Sequence, residues 1–506
     1  MKLLRACALA RATAVPRERG KSPIAERACD VTATETLVRS DPRTMAAPAV
    51  NPYNNITWRK RVKRVANPER QERNVDQILK HIDEQEIVKL TCNLVDIPSR
   101  TGNERAVGEF VREWLRGFGI RSFLQEIGGD RVNVVGMLEG TANGVSLQLN
   151  GHLDTNYSGD EDDLLFMSPA LFRRRQHTKR AFVQDGRIYG IGVGNMKAGL
   201  AAMLTSIVAV KRSGIALKGD FMVAGVCGEN GGGPAAQYQG VQYEGAGFGT
   251  EYLLSHGVQT DYAICADNSN FKMTWVSPGQ VLLRVTVYGL PGGAWATAHA
   301  KGRSTSQNAI VKMLPVIEAL ENWSAAYSER HRYVCEGGQL TPTAHIGHIE
   351  GGRPFNMAVR PGVCAISVLV MTPPGLRTVD VVREVKEALI AQDLEAEVDV
   401  YRSHLGYEAQ RIGPLVDVLR DHHNRLFGSA LPIVDPPYCG PWTDTAVYNE
   451  RGIPCLKLGL GLSAAERLKV GIGAYDEHPI DDIVRAAKLY AVTAVDVCSR
   501  ERLDRP

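Results

Sequence analysis

The sequence predicts an α/β protein: a main domain with a largely parallel central sheet, interrupted by a smaller α+β domain. Three observations predict it. Between residues 75 and 274 short apolar strands alternate with segments of helical spacing. Near Trp275 the texture changes to strands that alternate apolar and polar residues, as a sheet with one open face does. From about residue 396 helix and apolar strand resume, which makes the middle block an insert between two parts of one domain.

The elements follow in order. Residues 1–74 mix Arg, Pro, Ser, Thr and Ala without sustained periodicity and include the basic run Arg59-Lys60-Arg61-Val62-Lys63-Arg64. That composition predicts a solvated, disordered extension, with Met45 as an alternative start. Gln77–Leu94 and Glu104–Phe118 carry apolar residues at helical spacing, and Val134–Leu138 and Val145–Leu149 read as short strands. Met196–Arg212 is a long apolar helix, followed by the strands Phe221–Val226 and Tyr262–Cys265; together these form the first part of the main domain, 75–274. In the insert, 275–395, Gln280–Tyr288 and Val363–Met371 alternate at period two, while Gln307–Leu320 and Val379–Ala391 are helical. The second part of the main domain, 396–506, adds the helix Arg411–Phe427, the strand Pro454–Leu458 and the helix Ile483–Cys498. Two domains joined in this way leave a cleft between them, the usual place for a ligand.

Composition sets further limits. With 506 residues, 44% hydrophobic and 23% charged, the chain has a globular composition that excludes a disordered, collagenous or coiled-coil protein. Its length suits about three domains, or two with one large. No apolar run is read as reaching the ~18–20 residues that span a bilayer. The formal net charge of +3 hides an asymmetry: residues 1–74 carry 16 Lys and Arg against 7 Asp and Glu, so the body is at −6 and has no bias toward nucleic acid. Ten cysteines are scattered without a C-x-x-C pair, which predicts buried thiols in a reducing compartment. Arg5 and Arg11 cut the first apolar stretch below the length of a secretory leader, and the expected location is cytoplasmic.

Two motifs carry the chemistry. In Leu147-Gln-Leu-Asn-Gly-His152-Leu-Asp154-Thr155 an apolar strand ends in a Gly turn that presents His152 and Asp154 on one side. A carboxylate beside such a His fixes its tautomer as for a metal ligand. Taken alone, H-x-D is more often a solvated turn. The second motif, Asp185-Gly-Arg-Ile-Tyr-Gly190-Ile-Gly192-Val-Gly-Asn195-Met196-Lys197-Ala-Gly199, leads a Gly-rich loop into a helix, and it lacks the G-x-x-x-x-G-K-[ST] of a phosphate loop. In this order and separation the two motifs resemble the M20 family of metal-dependent peptidases and deacylases, over about Val75 to Cys498, with the insert as its lid and dimerisation domain.

In that family two zinc ions, in some members cobalt or manganese, share a water under one bridging carboxylate, and each ion has one His and one further carboxylate. A separate Glu takes a proton from that water as it attacks an amide carbonyl. The resemblance implies that His152 is a metal ligand, Asp154 the carboxylate that orients it, and Glu229 of Val226-Cys-Gly-Glu229 the general base. Asp267 of Ala266-Asp267-Asn268-Ser269 matches a carboxylate for the second ion; on its own it reads equally as an Asp capping a turn. Asn195 stands where the bridging Asp belongs and offers only a neutral oxygen. Asn230 replaces the metal Glu that follows the base. In the lid, Gly293 takes the place of the family's oxyanion His, with His299 six residues on, and Leu369-Val370-Met371 lacks the substrate-binding Arg. Asn356 of Gly351-Gly-Arg-Pro-Phe-Asn356 matches a substrate-binding position. Trp442-Thr-Asp444-Thr445 and Gly452-Ile-Pro454 also match. Ile472 or Gly473 occupies the place of the last metal His; His478 substitutes only if that loop is remodelled, and otherwise reads as a surface His near a helix start.

The scaffold motifs survive while the chemical groups are lost, and zinc sites normally need three or four donors per ion. The expected function is an M20-type metal-dependent hydrolase of amide bonds in N-acyl amino acids or small peptides, with an atypical, partly degenerate zinc or cobalt site. The alternative is an inactive relative that binds a small molecule or protein partner through the old cleft, and association with nucleic acid through the basic tail comes last. The resemblance further implies a homodimer through the lid; no membrane association is expected.

Overall fold

The computed structural model describes residues 68–141, 143–296, 302–434, 442–461 and 476–502. Most of the basic extension, His299 and the 471–475 segment lie outside the described residues. The extension nevertheless ends earlier than 74, because helix α1 runs from Pro68 to Leu79. It begins with the Pro that suits a first helical position, and Ile78 is buried. Helix α2 (Glu84–Asp96) is separate from it. Asp83 caps its start by accepting from the Glu86 N–H at 2.8 Å, which divides the single helix expected over 77–94.

Along the chain follow α3 (Arg105–Gly117), the hairpin β1 (Arg121–Gly128) and β2 (Arg131–Leu138), β3 (Leu147–His152), α4 (Pro169–His177), the hairpin β4 (Phe182–Gln184) and β5 (Arg187–Tyr189), and α5 (Ala198–Ser213). Strand β6 (Phe221–Val226), α6 (Phe248–Ser255) and β7 (Tyr262–Cys265) complete the first part. Two-residue β8 (Val276–Ser277) leads into the insert: β9 (Gly279–Tyr288), β10 (Gly292–Gly293), α7 (Ala309–Arg330), β11 (Tyr333–Cys335), β12 (Gly338–Leu340), β13 (Ala344–Gly351), β14 (Val359–Arg360), β15 (Val363–Thr372), α8 (Thr378–Ile390) and β16 (Glu397–His404). The chain ends with β17 (Tyr407–Glu408), α9 (Gly413–Phe427), α10 (Thr445–Glu450), β18 (Cys455–Lys457), β19 (Glu477–Pro479) and α11 (Ile480–Cys498).

The main sheet has six strands in the order β1-β2-β6-β3-β7-β18. Only β2 runs against the rest, so the sheet is largely parallel. Its central strands are covered on both faces: every residue of β3 and β6 is buried. Helix α5 is buried except at Lys211 and Arg212 and packs against α11. The run Val193–Ser213 is long and apolar enough to cross a membrane by composition, contrary to the reading of the sequence, but it is the central core helix of this domain.

The insert folds as an antiparallel sheet, β13-β15-β9-β16, with Val281, Leu283, Val285 and Val287 of β9 facing a separate apolar core shared with α7 and α8. Its edge strand β16 reaches His404, past the expected limit of 395. A register shift between Val400 and Arg402 breaks the period-two pattern that would have revealed it.

Candidate active site

Strands β6, β3 and β7 lie side by side and parallel, so their carboxyl ends open on one edge of the sheet, where α/β folds bind ligands. His152 ends β3, Glu229 and Asn230 follow β6, and Asp267 follows β7. Gly151 lets the strand end pack closely on two methionines: a Cβ would come within 2.5 Å of the Met196 methyl and 3.1 Å of the Met203 sulfur.

The His152 ring is fully buried. Its Nδ1–H donates to the backbone carbonyl of Asp154 at 2.8 Å, while the Asp154 carboxylate stands 3.6 Å away. The carboxylate therefore does not hold the ring, as the motif suggested. Instead it accepts the N–H groups of Glu229 (3.2 Å) and Asn230 (3.0 Å) and the Thr101 hydroxyl (2.7 Å). A carboxyl group supplied with three donors is satisfied where it lies, and here it anchors the loop that carries Glu229.

On the other side of the ring, Nε2 meets the Asn195 amide oxygen at 2.9 Å, Glu229 Oε2 at 3.7 Å and Asp267 Oδ1 at 3.8 Å. Burial pushes the Glu229 carboxyl well above the usual carboxylate range; His152 opposes the shift, and Asp267, Asp444 and Asp154 add to it. Burial would lower His152, but the charges of Glu229, Asp154 and Asp267 outweigh it and hold the ring well above its ordinary value. Asp444, behind the site with Asn150 donating to it at 3.1 Å, is pushed up to about 7, chiefly by burial. The His152 ring thus lies among four carboxyl groups, those of Glu229, Asp154, Asp267 and Asp444.

A second buried pair supports the Glu229 loop, and nothing in the sequence singled it out. Arg131 and Glu104 have fully buried side chains and pair through two bonds, Nε to Oε2 at 3.0 Å and Nη2 to Oε1 at 2.7 Å. Glu104 also accepts the N–H groups of Gly102 (3.0 Å) and Gly228 (3.2 Å), and Arg131 donates to the Val241 carbonyl at 2.7 Å. Gly228, at φ +63°, must be glycine, since a Cβ would lie 2.4 Å from Arg131 Nη2. Charged residues at the ends of α3 and β2 read as solvent-facing; only the apolar company of Arg131 in β2 hinted otherwise.

Two expected residues make no hydrogen bond or ion pair with this group among the described residues. His478 is buried rather than on the surface. It lies on β19 opposite Ile188 of β5, has no hydrogen bond at either ring nitrogen among the described residues, and is 4.0 Å from Asp482. Burial, reinforced by Arg187, pushes its pKa down to about 3. Asn356 lies half-buried in the turn between β13 and β14, its N–H on the Arg353 carbonyl at 3.1 Å, with no hydrogen bond to the His152 group. A cavity of about 100 Å³ borders Asn195, walled by Tyr157, Arg175 and Ile191. The Arg175 guanidinium lies 4.2 Å from the Tyr157 ring centre and pairs with Asp476 at 3.1 Å.

An α/β domain with a lid insert and a His-carboxylate cluster at the carboxyl ends of parallel strands defines the class of a cleft hydrolase. Residues 148–496 match the model of the Peptidase family M20/M25/M40, and the chain belongs to this family. It is 27% identical over 330 residues to the N-formyl-4-amino-5-aminomethyl-2-methylpyrimidine deformylase of Halalkalibacterium halodurans, covering 62% of this chain and 70% of that one. Human carnosine dipeptidase 1 has the same fold, with a TM-score of 0.59 at 14% identity over 84% of this chain and 99% of that one. So has the Bacillus subtilis YxeP protein, a dinuclear metal-binding peptidase of the M20 family, with a TM-score of 0.51 at 13% identity over 82% and 98% of the two chains.

A metal cofactor is thus a family feature, and the donors here can be tested against it. A divalent ion needs the Nε2 lone pair of His152, and that nitrogen faces the Asn195 amide. Asn230, in place of a metal Glu, turns its Nδ2 toward the Asp154 carbonyl at 3.3 Å. Among the described residues no group of three or more His, Cys, Asp or Glu is arranged to hold a metal ion. This donor set does not fit a pair of ions.

Proposed function

We propose that this chain hydrolyses the amide bond of a small N-acyl amino acid or short peptide bound at the carboxyl edge of the sheet, with Glu229 as the proton acceptor. The observation that carries the reading is the Glu229 carboxyl itself. It is buried at the strand ends, fixed through its backbone N–H by Asp154, and pushed well above the usual carboxylate range by burial, so it takes a proton more readily than an exposed carboxylate does. The relative from H. halodurans, a deformylase by name, supports a substrate with a short acyl group, and the cavity beside Asn195 has the size for one. Zinc or cobalt, implied by the family resemblance, meets a donor set that does not fit a pair.

A second reading, a cleft that binds its amide ligand without cleaving it, is favoured by the Asn195 amide on His152 Nε2. One experiment separates the two. N-formyl, N-acetyl and N-succinyl amino acids and dipeptides are assayed with and without added zinc, cobalt or manganese, in parallel with Glu229→Gln. The hydrolase reading expects turnover that falls by at least about 100-fold in the variant. Binding without turnover under every metal condition establishes the second reading instead.

The chain is further proposed to dimerise through the lid, where Phe355 (91% exposed), Met357 (87%) and Trp295 (85%) leave apolar surface uncovered. Its buried free thiols, among them Cys227, Cys265 and Cys455, support a cytoplasmic location.

A further inference from the structure

We propose that Asn195 is the residue that keeps the His152 seat from taking a divalent cation, by capping the imidazole with its amide. The amide lies 2.9 Å from Nε2, on the side of the ring that faces Glu229 and Asp267. Whichever end of the amide faces the ring, Nε2 is engaged: the oxygen accepts from a charged imidazole, and the nitrogen donates to a neutral one. The amide is also held from behind. Asn268, turned with its nitrogen on the carbonyls of Gly194 (2.6 Å) and Leu460 (3.2 Å), brings its oxygen to 3.0 Å from the same end of Asn195, which makes that end the amide nitrogen, donating to Asn268 and to a neutral Nε2. Gly461 packs close against Asn268, where a Cβ would lie 1.9 Å from its amide.

What remains around the seat is half of a metal site. Asp267 Oδ1 is buried with no hydrogen bond among the described residues and stands 3.8 Å from Nε2, so one imidazole and one carboxylate already face a common point. A third, anionic donor at position 195 would complete the three protein ligands of an open zinc site. A neutral amide adds no charge to attract the ion, and it competes for the lone pair the ion needs.

The test needs no substrate, so it stands apart from the proposed hydrolysis. Zinc alone is titrated into the dialysed full chain, wild type and Asn195→Asp, by calorimetry and by metal analysis after gel filtration. Asn195→Asp is expected to retain one zinc per chain with an affinity roughly 10- to 100-fold above wild type, the range by which a single ligand-supporting group changes metal binding. If the acidic variant does not show a cooperative melt, Asn195→Ser, which uncaps Nε2 without adding charge, is titrated in its place, and tighter zinc binding than wild type is again expected. Equal zinc affinity in wild type and the folded variant, whether both bind or neither does, overturns the proposal.

Discussion

Replacing Arg131 by Met should cost about 3 kcal/mol of stability at pH 7.5. The side chains of Arg131 and Glu104 are both fully buried, and removing one partner of such a pair costs ~3–5 kcal/mol because the other charge is left unpaired. The lower end applies, since Glu104 keeps the N–H groups of Gly102 and Gly228 as donors. The pH dependence gives a sharper check. Burial already raises the Glu104 carboxyl, against the pull of Arg131, and without Arg131 it rises further. A carboxyl raised in the folded state stabilises the fold below its unfolded pKa and loses that contribution as pH rises through its folded value. The Arg131→Met deficit should therefore shrink on acidification toward pH 5, where Glu104 takes up a proton and sits neutral. Urea denaturation of both proteins from pH 5 to 8.5 reads this directly. Glu104→Gln combined with Arg131→Met should recover at least about 1 kcal/mol. A deficit below about 1 kcal/mol, or one that does not change with pH, refutes the reasoning.

Lys197 is buried and pushed down to about 7 by burial, against the attraction of Asp96, and it donates to the Leu94 and Ile97 carbonyls at 2.8 and 2.7 Å where α2 ends. A lowered pKa contributes stability that is present above the unfolded value and lost as pH falls through 7. Wild type should thus gain on Lys197→Met by up to roughly 1.4 kcal/mol per unit between pH 7 and 10, read from melting curves. At the lid, Phe355→Ser with Met357→Ser should convert a dimer to a monomer in light scattering without lowering the melting temperature; an unchanged dimer places the interface elsewhere.

The parallel core was legible because β6 and β7 are apolar runs of six and four residues and β3 opens on Leu147 and Leu149, and the site was legible because His152, Glu229 and Asp267 stand at or just beyond the ends of those strands. The strands β1, β13 and β16 were not, since half-exposed residues and register shifts blur their alternation. The direction of Asp154 escaped the sequence for a different reason. Whether a carboxylate meets the ring beside it or the backbone of another strand depends on how β3 and β6 align, and spacing along one chain carries no such information. His478 was misplaced because a His next to a helix start is solvated in most settings, whereas here the β19–β5 pairing turns it inward.

Glu229 is mounted from behind: Asp154 and the Glu104–Arg131 pair grip its loop through main-chain N–H groups. The inner wall is free to change its chemistry while the mount stays fixed. Exchanges between acid and amide at 195 and 230 leave those main-chain contacts in place. Redesign of this pocket can start from the same separation, altering what faces the ligand and leaving the bracket behind it alone.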